Sequence, residues 1–281
     1  MAWLKDLWRA IKRSPRKAAL SVFTTYSLIF TVTKTVTFLL PTVKIEGPLP
    51  MTIIVVLGVV LGLERISKPS RVALPIPNSN TCLEILFGDL FEQDGVRLIA
   101  VNDYFDSEIG RPVSDKSLHG IFLKRCFGGH PESFDVLVDK ELKEGAFTTT
   151  QKVAGKTNAY PIGTTAIIGV NQDVYLLFAL THSDPQTCKA SSDVTLLWSA
   201  LGAAWDRARI EAGGHPVNLP LVGSGLSGIG LPTRDLLNLL ILSAITKTKE
   251  KEVTGKIRIV LHRDRFDDVD LRDVKKYWSE K

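Results

Sequence analysis

The sequence predicts an α/β protein, a three-layer α/β/α sandwich with a mixed sheet, preceded by a two-helix transmembrane hairpin. Two observations carry this prediction: two apolar runs lie before residue 70, and short apolar runs alternate with helical patterns after residue 80. Strands separated by helices favour parallel pairing with helices on both faces of the sheet. We therefore expect a basic amphipathic segment at 1–17, the hairpin at 18–63, a linker at 64–80 and a folded α/β domain at 81–281.

The N-terminal segment carries the net charge of the chain. Residues 1–17 hold six lysines and arginines and one aspartate, whereas the whole chain has a net charge of +5. The remaining residues are thus neutral overall, which argues against nucleic-acid binding by a basic fold. Residues 3–13, WLKDLWRAIKR, place their apolar side chains on one helical face. This pattern is typical of a helix on anionic lipid, or of a plain basic flank with anchoring tryptophans.

Two apolar runs have the length of membrane spans, at about 18–40 and 49–63. A helix over the first run covers the ~30 Å hydrocarbon core, whereas the second is short and needs its flanks or a thinned bilayer. Positive residues flank both outer ends, so the positive-inside rule places both termini in the cytoplasm. A cleaved signal peptide and a buried hairpin of a soluble protein are the alternatives.

The first span is unusually polar, with Lys34 and six threonines. Lys34 lies near one end, so we expect its ammonium to reach the interface. The alternative is a polar face that lines a pore or a contact between copies.

Six strands and five helices are expected in the soluble part. The strands are Cys82–Phe87, Val96–Val101, Thr164–Val170, Val174–Leu180, Val217–Leu221 and Lys256–His262; the helices are 117–127, 131–143, 191–212, 232–246 and 270–279. The three cysteines and five histidines show no paired spacing, which predicts neither a metal site nor a disulfide framework.

A glycine-rich stretch, LPLVGSGLSGIGLP at 219–232, lies between an expected strand and an expected helix. We call it the glycine loop. Glycines allow a positive φ, and exposed backbone N–H groups before a helix form a site for phosphate. The G-x-G-x-x-G spacing also occurs in Rossmann domains, but there the loop follows the first strand and an acidic residue follows about 20 positions later. Here TKTKEK occupies 246–251, so a Rossmann domain does not fit, and a structural turn is the alternative.

Four segments follow one another in the order typical of a macro domain. FGDLFEQDGVRLIAVND at 87–103 resembles the opening of that fold, and YPIGTTAIIG at 160–169 and VYLLFALTHS at 174–183 resemble its later strands. The glycine loop is similar to the loop that wraps the diphosphate of ADP-ribose. A macro-like domain behind a two-span hairpin resembles the membrane-anchored ThsA effectors of type II Thoeris anti-phage defence.

The resemblance implies a site for an ADP-ribose derivative, with no other cofactor. Asp89 would accept a hydrogen bond from the adenine amino group, and Asn102 would fix the first loop (residues 102–116) around the distal ribose. The structural alternatives are a capping role for Asp89 and a loop-ordering role for Asn102. The implied ligand-binding residues are Asp89, Asn102, Asp103, Gly163, Thr164, Gly223, Ser224, Gly225, Leu226, Ser227, Gly228 and Ile229.

The sequence departs from hydrolytic macro domains in the first loop. Those domains usually read Asn-Ala-Ala-Asn followed by a glycine triplet, whereas this chain reads Asn102-Asp103-Tyr104-Phe105 without the triplet. Asp103, Asp106 and Asp115 are possible bases, but no nucleophile is paired with them. We therefore expect binding without turnover and no catalytic residue.

The resemblance also implies partners. A TIR-domain enzyme would make the signal, of the histidine–ADP-ribose type, and binding would drive homo-oligomerisation and disruption of the bacterial inner membrane. The carboxylate of such a ligand would suit a basic partner, for which the candidates are Arg111, Lys124, Arg125 and Arg265. A membrane-tethered ADP-ribosyl hydrolase and a ligand-free adaptor are the alternative functions.

Overall fold

The structure is a computed structural model that describes residues 7–8, 11–12, 14–40, 42, 45, 47–225 and 228–279. The chain forms two compact units. The first contains the residues up to Ser70 together with Asp270–Tyr277, and the second contains Arg71–Val269 together with the last four residues. Most of segment 1–17 lies outside the described residues, so an amphipathic helix there stays a prediction.

The first unit contains two long apolar helices, α1 (Pro15–Leu39) and α2 (Pro48–Ile66). Both are long and apolar enough to cross a membrane, which weakly suggests that they anchor the chain there. The core helix of a soluble protein would be mostly buried, whereas the most apolar windows of α1 and α2 are 0% and 11% buried. With 19 residues α2 is roughly 28 Å long, because the helix includes the flanks on both sides of its 49–63 apolar core.

Two glycines one helical turn apart allow α2 to approach α1 closely. Gly58 and Gly62 are buried, and a Cβ at Gly62 would lie 2.6 Å from the Val22 Cα. The Ser21 hydroxyl donates to the Gly62 carbonyl over 2.9 Å. Glycine thus sets the spacing of the two helices, since small residues let helix backbones approach closely.

The second unit is built on an eight-stranded mixed sheet. Its order is β1-β2-β10-β9-β3-β7-β6, with β8 paired to β7. The strands from β2 to β7 in this order are parallel, whereas β1, β6 and β8 pair antiparallel with their neighbours. The bounds are β1 Arg71–Pro75, β2 Cys82–Phe87, β3 Val96–Asn102, β4 Thr148–Thr149, β5 Asn158–Ala159, β6 Thr165–Val170, β7 Asp173–Ser183, β8 Ala190–Ser191, β9 Val217–Pro220 and β10 Lys256–Leu261. Strands β4 and β5 form a separate two-stranded hairpin.

Helices cover both faces of this sheet. They are α3 Leu118–Phe127, α4 Pro131–Leu142, α5 Val194–Glu211 and α6 Thr233–Glu250, and a further helix, α7 Leu271–Ser279, follows near the C-terminus. Ile99 and Val101 of β3 belong to one core cluster with α3 and α4. Because side chains alternate along a strand, the fully buried Leu98 points to the opposite face, where α5 packs on β7 and α6 on β10. The expected three-layer α/β/α sandwich is confirmed.

The largest difference from the sequence-based expectation lies in the predicted linker, 64–80. This segment contains the end of α2 and the edge strand β1, which pairs antiparallel with β2 from Arg71 to Pro75. The side chains of Val72 and Leu74 are buried. A proline at the end of an edge strand removes no ladder bond from the sheet interior, so the prolines are compatible with a strand here.

Two elements are longer than the sequence predicts. Helix α6 continues to Glu250 through the TKTKE stretch, because Lys247 forms an ion pair with Asp206 of α5 over 2.9 Å and Thr248 is buried. Strand β7 continues to Ser183, where β8 pairs with its last two residues.

Candidate ligand site

The parallel strands bring the expected ligand segments to one edge of the sheet. Strands β2, β10, β9, β3 and β7 all end there, in this spatial order. Backbone bonds connect neighbouring ends: the Gly88 N–H donates to the Leu261 carbonyl over 2.9 Å, and the Asp103 N–H donates to the Thr181 carbonyl over 2.8 Å. Ligands of open α/β sheets bind outside the carboxyl ends of the strands.

Asp89 follows β2 at this edge and is held by two partners. One oxygen accepts the Phe91 N–H over 3.0 Å and caps a short 3₁₀ helix, and the other accepts from Arg125 over 2.8 Å. Burial opposes ionisation, but these bonds outweigh it and lower the pKa of the Asp89 carboxyl. The carboxylate is therefore ionised at neutral pH. The capping alternative describes the Asp89–Phe91 contact, and nothing in the sequence indicates that Arg125 pairs with Asp89.

Asn102 orders the first loop from inside. Its side-chain amide donates to the Asp106 carboxylate over 2.8 Å and accepts the Asp106 N–H over 3.1 Å. Asp106 is fully buried and forms an ion pair with the equally buried Lys152, whose ammonium lies 4.1 Å from the centre of the Tyr104 ring. Lys152 is not recognisable in the sequence as a partner of Asp106, because the two residues are 46 positions apart.

Asp103 is buried beneath the same loop rather than presented to solvent. Its carboxylate contacts His182 Nδ1 over 2.8 Å and accepts the Ser183 N–H over 3.0 Å. Burial raises the pKa of Asp103, and the bonds from His182 and Ser183 offset only part of this effect. In this conformation Asp103 supports the loop by linking it to the end of β7.

Gly163 and Thr164 lie at the same edge, at the start of β6. The Gly163 N–H donates to the Ala179 carbonyl over 2.9 Å, and Gly163 has a φ of +91°. A Cβ here would lie 3.3 Å from the Ala203 Cβ, so glycine lets this turn approach α5 closely.

The glycine loop leaves β9 between β10 and β3. Gly223 and Gly228 have φ values of +85° and +75°, whereas Gly225 has open space around it. The Ser224 carbonyl accepts from Arg265 over 3.2 Å, which ties the loop to the segment after β10. Leu226 and Ser227 lie outside the described residues. Ile229 lies three residues before Pro232, and Pro232 immediately precedes the first residue of α6.

The four candidate basic residues are distributed around the edge. Arg125 pairs with Asp89, and Arg265 contacts the glycine loop and Asp268. Arg111 donates to the Gln186 carbonyl over 2.9 Å, and Lys124 lies 3.4 Å from Asp115. Arg125 and Arg265 are thus the candidates nearest the predicted adenine and diphosphate positions.

The described residues contain no group of three or more His, Cys, Asp and Glu side chains that could hold a metal ion. The three cysteines are free. Of the three possible bases, Asp103 and Asp106 are buried in pairs with basic residues, and the more exposed Asp115 pairs with Lys124.

A mixed sheet between helical layers, with a glycine loop and an Asn-containing loop at its carboxyl edge, defines a macrodomain. The Oceanobacillus iheyensis macrodomain with ADP is 16% identical, with a TM-score of 0.53 over 75% of this chain and 97% of that chain. A point mutant of that macrodomain with ADPR is also 16% identical, with a TM-score of 0.53 over 75% of this chain and 100% of that chain. A search among curated proteins found no match.

The family model described as "Thoeris protein ThsA, Macro domain" matches residues 83–262, well over half of the chain. The chain therefore belongs to the ThsA macro domain family. The match ends one residue after β10 and so includes all the loops of the candidate site.

Proposed function

We propose that this chain is a membrane-anchored effector of Thoeris anti-phage defence. Its macro domain binds an ADP-ribose-derived signal, of the histidine–ADP-ribose type, that a TIR-domain partner enzyme makes. Membership of the ThsA family supports the defence role. The solved macrodomains with ADP and ADPR, which share this fold, support the ligand class.

The glycine loop is the observation that carries the proposal. It lies after β9, between the ends of β10 and β3, and it runs directly into α6. Positive φ at Gly223 and Gly228 turns the backbone without a Cβ in the way, so consecutive N–H groups can face a diphosphate. Asp89, two strands away and ionised, suits the amino group of adenine. Two strand spacings, about 10 Å, separate the ends of β2 and β9, which suits a nucleotide lying across the strand ends.

The state of the first loop supports binding without turnover. Asn102 is bonded to Asp106 on both of its amide atoms, and Phe105, at the position of the second Asn in hydrolytic domains, is fully buried. The charge of the Asp106 carboxylate is balanced by the Lys152 ammonium in an ion pair. A general base must reach the proton that it removes, and these groups face the interior.

The distal group of the signal has room beside the first loop. A recess of about 570 Å³ belongs to the first unit, whereas one of about 510 Å³ in the macro domain is lined partly by Tyr104, Phe105 and Tyr160. The second volume lies in the range of ligand pockets. Two ammonium groups line this recess: Lys156 already pairs with two aspartates of α4, whereas Lys143 is exposed and has no ion pair among the described residues. Tyr104 and Phe105 are buried, so the exposed ring of Phe147 and the half-buried ring of Tyr160 are the aromatic groups available to an added imidazole.

The proposed output is assembly of the hairpins and disruption of the inner membrane, with both termini and the macro domain in the cytoplasm. A ligand shifts such an equilibrium only by its difference in affinity between the two states. Closure of the first loop and the glycine loop around the signal is the differential contact that we propose.

Calorimetric titration of the full chain in nanodiscs tests the binding step. We expect the wild-type chain to bind a histidine–ADP-ribose conjugate more tightly than ADP-ribose, with no product formed. Gly225→Glu should weaken binding at least about 100-fold, because a carboxylate beside a diphosphate adds like-charge repulsion and its side chain fills the open space in front of the loop.

Gly255→Glu is the matched control. Gly255 also has open space around it and no positive φ, but it precedes β10 at the opposite edge of the sheet. It should bind like the wild type. Absence of heat with either ligand would contradict the proposal, and release of free ADP-ribose from the conjugate would favour the hydrolase alternative.

A further inference from the structure

The C-terminal helix α7 contacts the end of the second apolar helix within the first unit. Arg272 donates to the Glu64 carbonyl over 3.4 Å and to the Arg65 carbonyl over 3.5 Å. These carbonyls belong to the last turn of α2, where helix carbonyls lack the regular partner one turn further along, although the Glu64 carbonyl also accepts the Ser67 N–H over 3.1 Å. A cation is favourable there because the helix dipole is negative at this end.

This contact fixes the depth of α7 relative to a membrane that α2 crosses. The apolar run of α2 ends at Leu63, and the next two residues are Glu64 and Arg65. The last apolar residue marks the boundary of the hydrocarbon core, and charged residues beyond it lie at the headgroup level. Arg272 therefore lies at that level as well.

Two lysines share the face of α7 that carries Arg272. Residues three and four apart lie on the same side of a helix, so Arg272, Lys275 and Lys276 form one cationic face. The apolar side chains of Leu271 and Val274 are buried on another side. The Arg272 charge is balanced by Asp270 over 2.7 Å, whereas Lys275 and Lys276 are exposed and have no ion pair in the part of the chain that the structure describes.

We propose that Lys275 and Lys276, with Arg272 as the anchor to α2, bind the headgroups of anionic phospholipid where α2 emerges from the membrane. The two lysines are within about 6 Å of Arg272 along the helix, less than the Debye length of about 8 Å at physiological salt. This inference rests on the membrane anchoring in the proposed function, but it is independent of the nucleotide signal. We favour anionic lipid over an acidic protein as the binding partner, because the cationic face of α7 lies at the same depth along the membrane normal as the headgroup layer.

Hydrogen exchange of residues 271–279 tests the proposal in the full chain without nucleotide. The chain is reconstituted in nanodiscs of phosphatidylcholine alone, or of phosphatidylcholine with phosphatidylglycerol. We expect slower exchange in the anionic discs by roughly 10- to 30-fold, as two surface lysines imply, and loss of this protection at high salt.

The double variant Lys275→Gln with Lys276→Gln should exchange at the same rate in both kinds of disc. The double variant Lys275→Glu with Lys276→Glu should exchange at the same rate or faster in the anionic discs. Lys249→Glu with Lys251→Glu, two exposed lysines at the end of α6, is the matched charge control and should keep it. Equal exchange in both kinds of disc would overturn the proposal, and so would a charge control that loses the lipid dependence. A chain that does not incorporate into discs at all would instead contradict the anchoring on which the proposed function rests.

Discussion

Basic side chains from distant segments hold three aspartates at the carboxyl edge of the sheet. Arg125 pairs with Asp89, Lys152 with Asp106, and His182 with Asp103. Breaking the buried Asp106–Lys152 ion pair should strongly destabilise the fold, because removal of one partner leaves an unpaired charge in the interior. The first loop is therefore held in place from the interior, and the shape of its predicted ligand-binding surface depends on residues outside that surface.

His119 is a buried histidine that makes stability depend on pH. It lies on α3 against Phe134, and in the described residues its Nε2 has no hydrogen-bond partner. Burial lowers the pKa of His119 to about 3, with a smaller contribution from Lys156. The unfolded chain binds a proton at this histidine below about pH 6.5, whereas the folded chain does so only near pH 3. Stability is thus present above pH 6.5 and falls as the pH is lowered.

We expect His119→Leu to remove this dependence. Between pH 7 and pH 5 the wild type should lose about 2 kcal/mol of unfolding free energy at this residue, and the variant should not. Urea titrations at the two pH values measure the difference. His215→Gln, at an exposed histidine, should behave as the wild type. Equal pH dependence in His119→Leu and the wild type would show that His119 is not buried in the neutral form.

The spacing of α1 and α2 depends on the two glycines of α2. A Cβ at Gly62 would lie 2.6 Å from the Val22 Cα, and one at Gly58 would lie 2.9 Å from the Tyr26 Cα. Real contacts between carbon atoms lie at about 3.5–4.0 Å, so any side chain at these positions must push the helices apart.

We expect Gly62→Leu to widen the hairpin by at least about 1 Å. Spin labels at the exposed positions Leu28 and Val56, in a chain whose native cysteines are replaced by alanine, report the distance. Val60→Leu enlarges a side chain that is 45% exposed, and it should leave the distance unchanged. An unchanged distance in Gly62→Leu would mean that the two helices do not pack through these glycines.

At the scale of elements, the sequence predicts most of the sheet because its strands are short apolar runs with clear boundaries. Strand β1 is not predicted, because Arg71–Pro75 lies among prolines, which normally indicate a linker. The segment becomes a strand through its pairing with β2. The end of α6 is not predicted either, because the sequence suggests that Lys247 and Thr248 are solvent-exposed and does not reveal the ion pair between Lys247 and Asp206 of α5. Both errors are cases in which tertiary contacts override local pattern.

For the whole molecule, the order of segments predicts the macrodomain and the place of its glycine loop, because five parallel strands must end at one edge. The partners Arg125, Lys152 and His182 could not be predicted, since 36, 46 and 79 residues separate them from their aspartates. The ligand roles of the individual site residues remain predictions until binding is measured.

Release of a trapped dye from liposomes tests the central claim most directly. The full chain is reconstituted in anionic liposomes, and a histidine–ADP-ribose conjugate is added outside, where the exposed macro domains can bind it. We predict dye release with the wild type and with Gly255→Glu, and none with Gly225→Glu or with ligand-free protein. Tight binding by calorimetry without dye release would contradict the membrane-disrupting effector, and dye release from Gly225→Glu would contradict the glycine loop as the signal site.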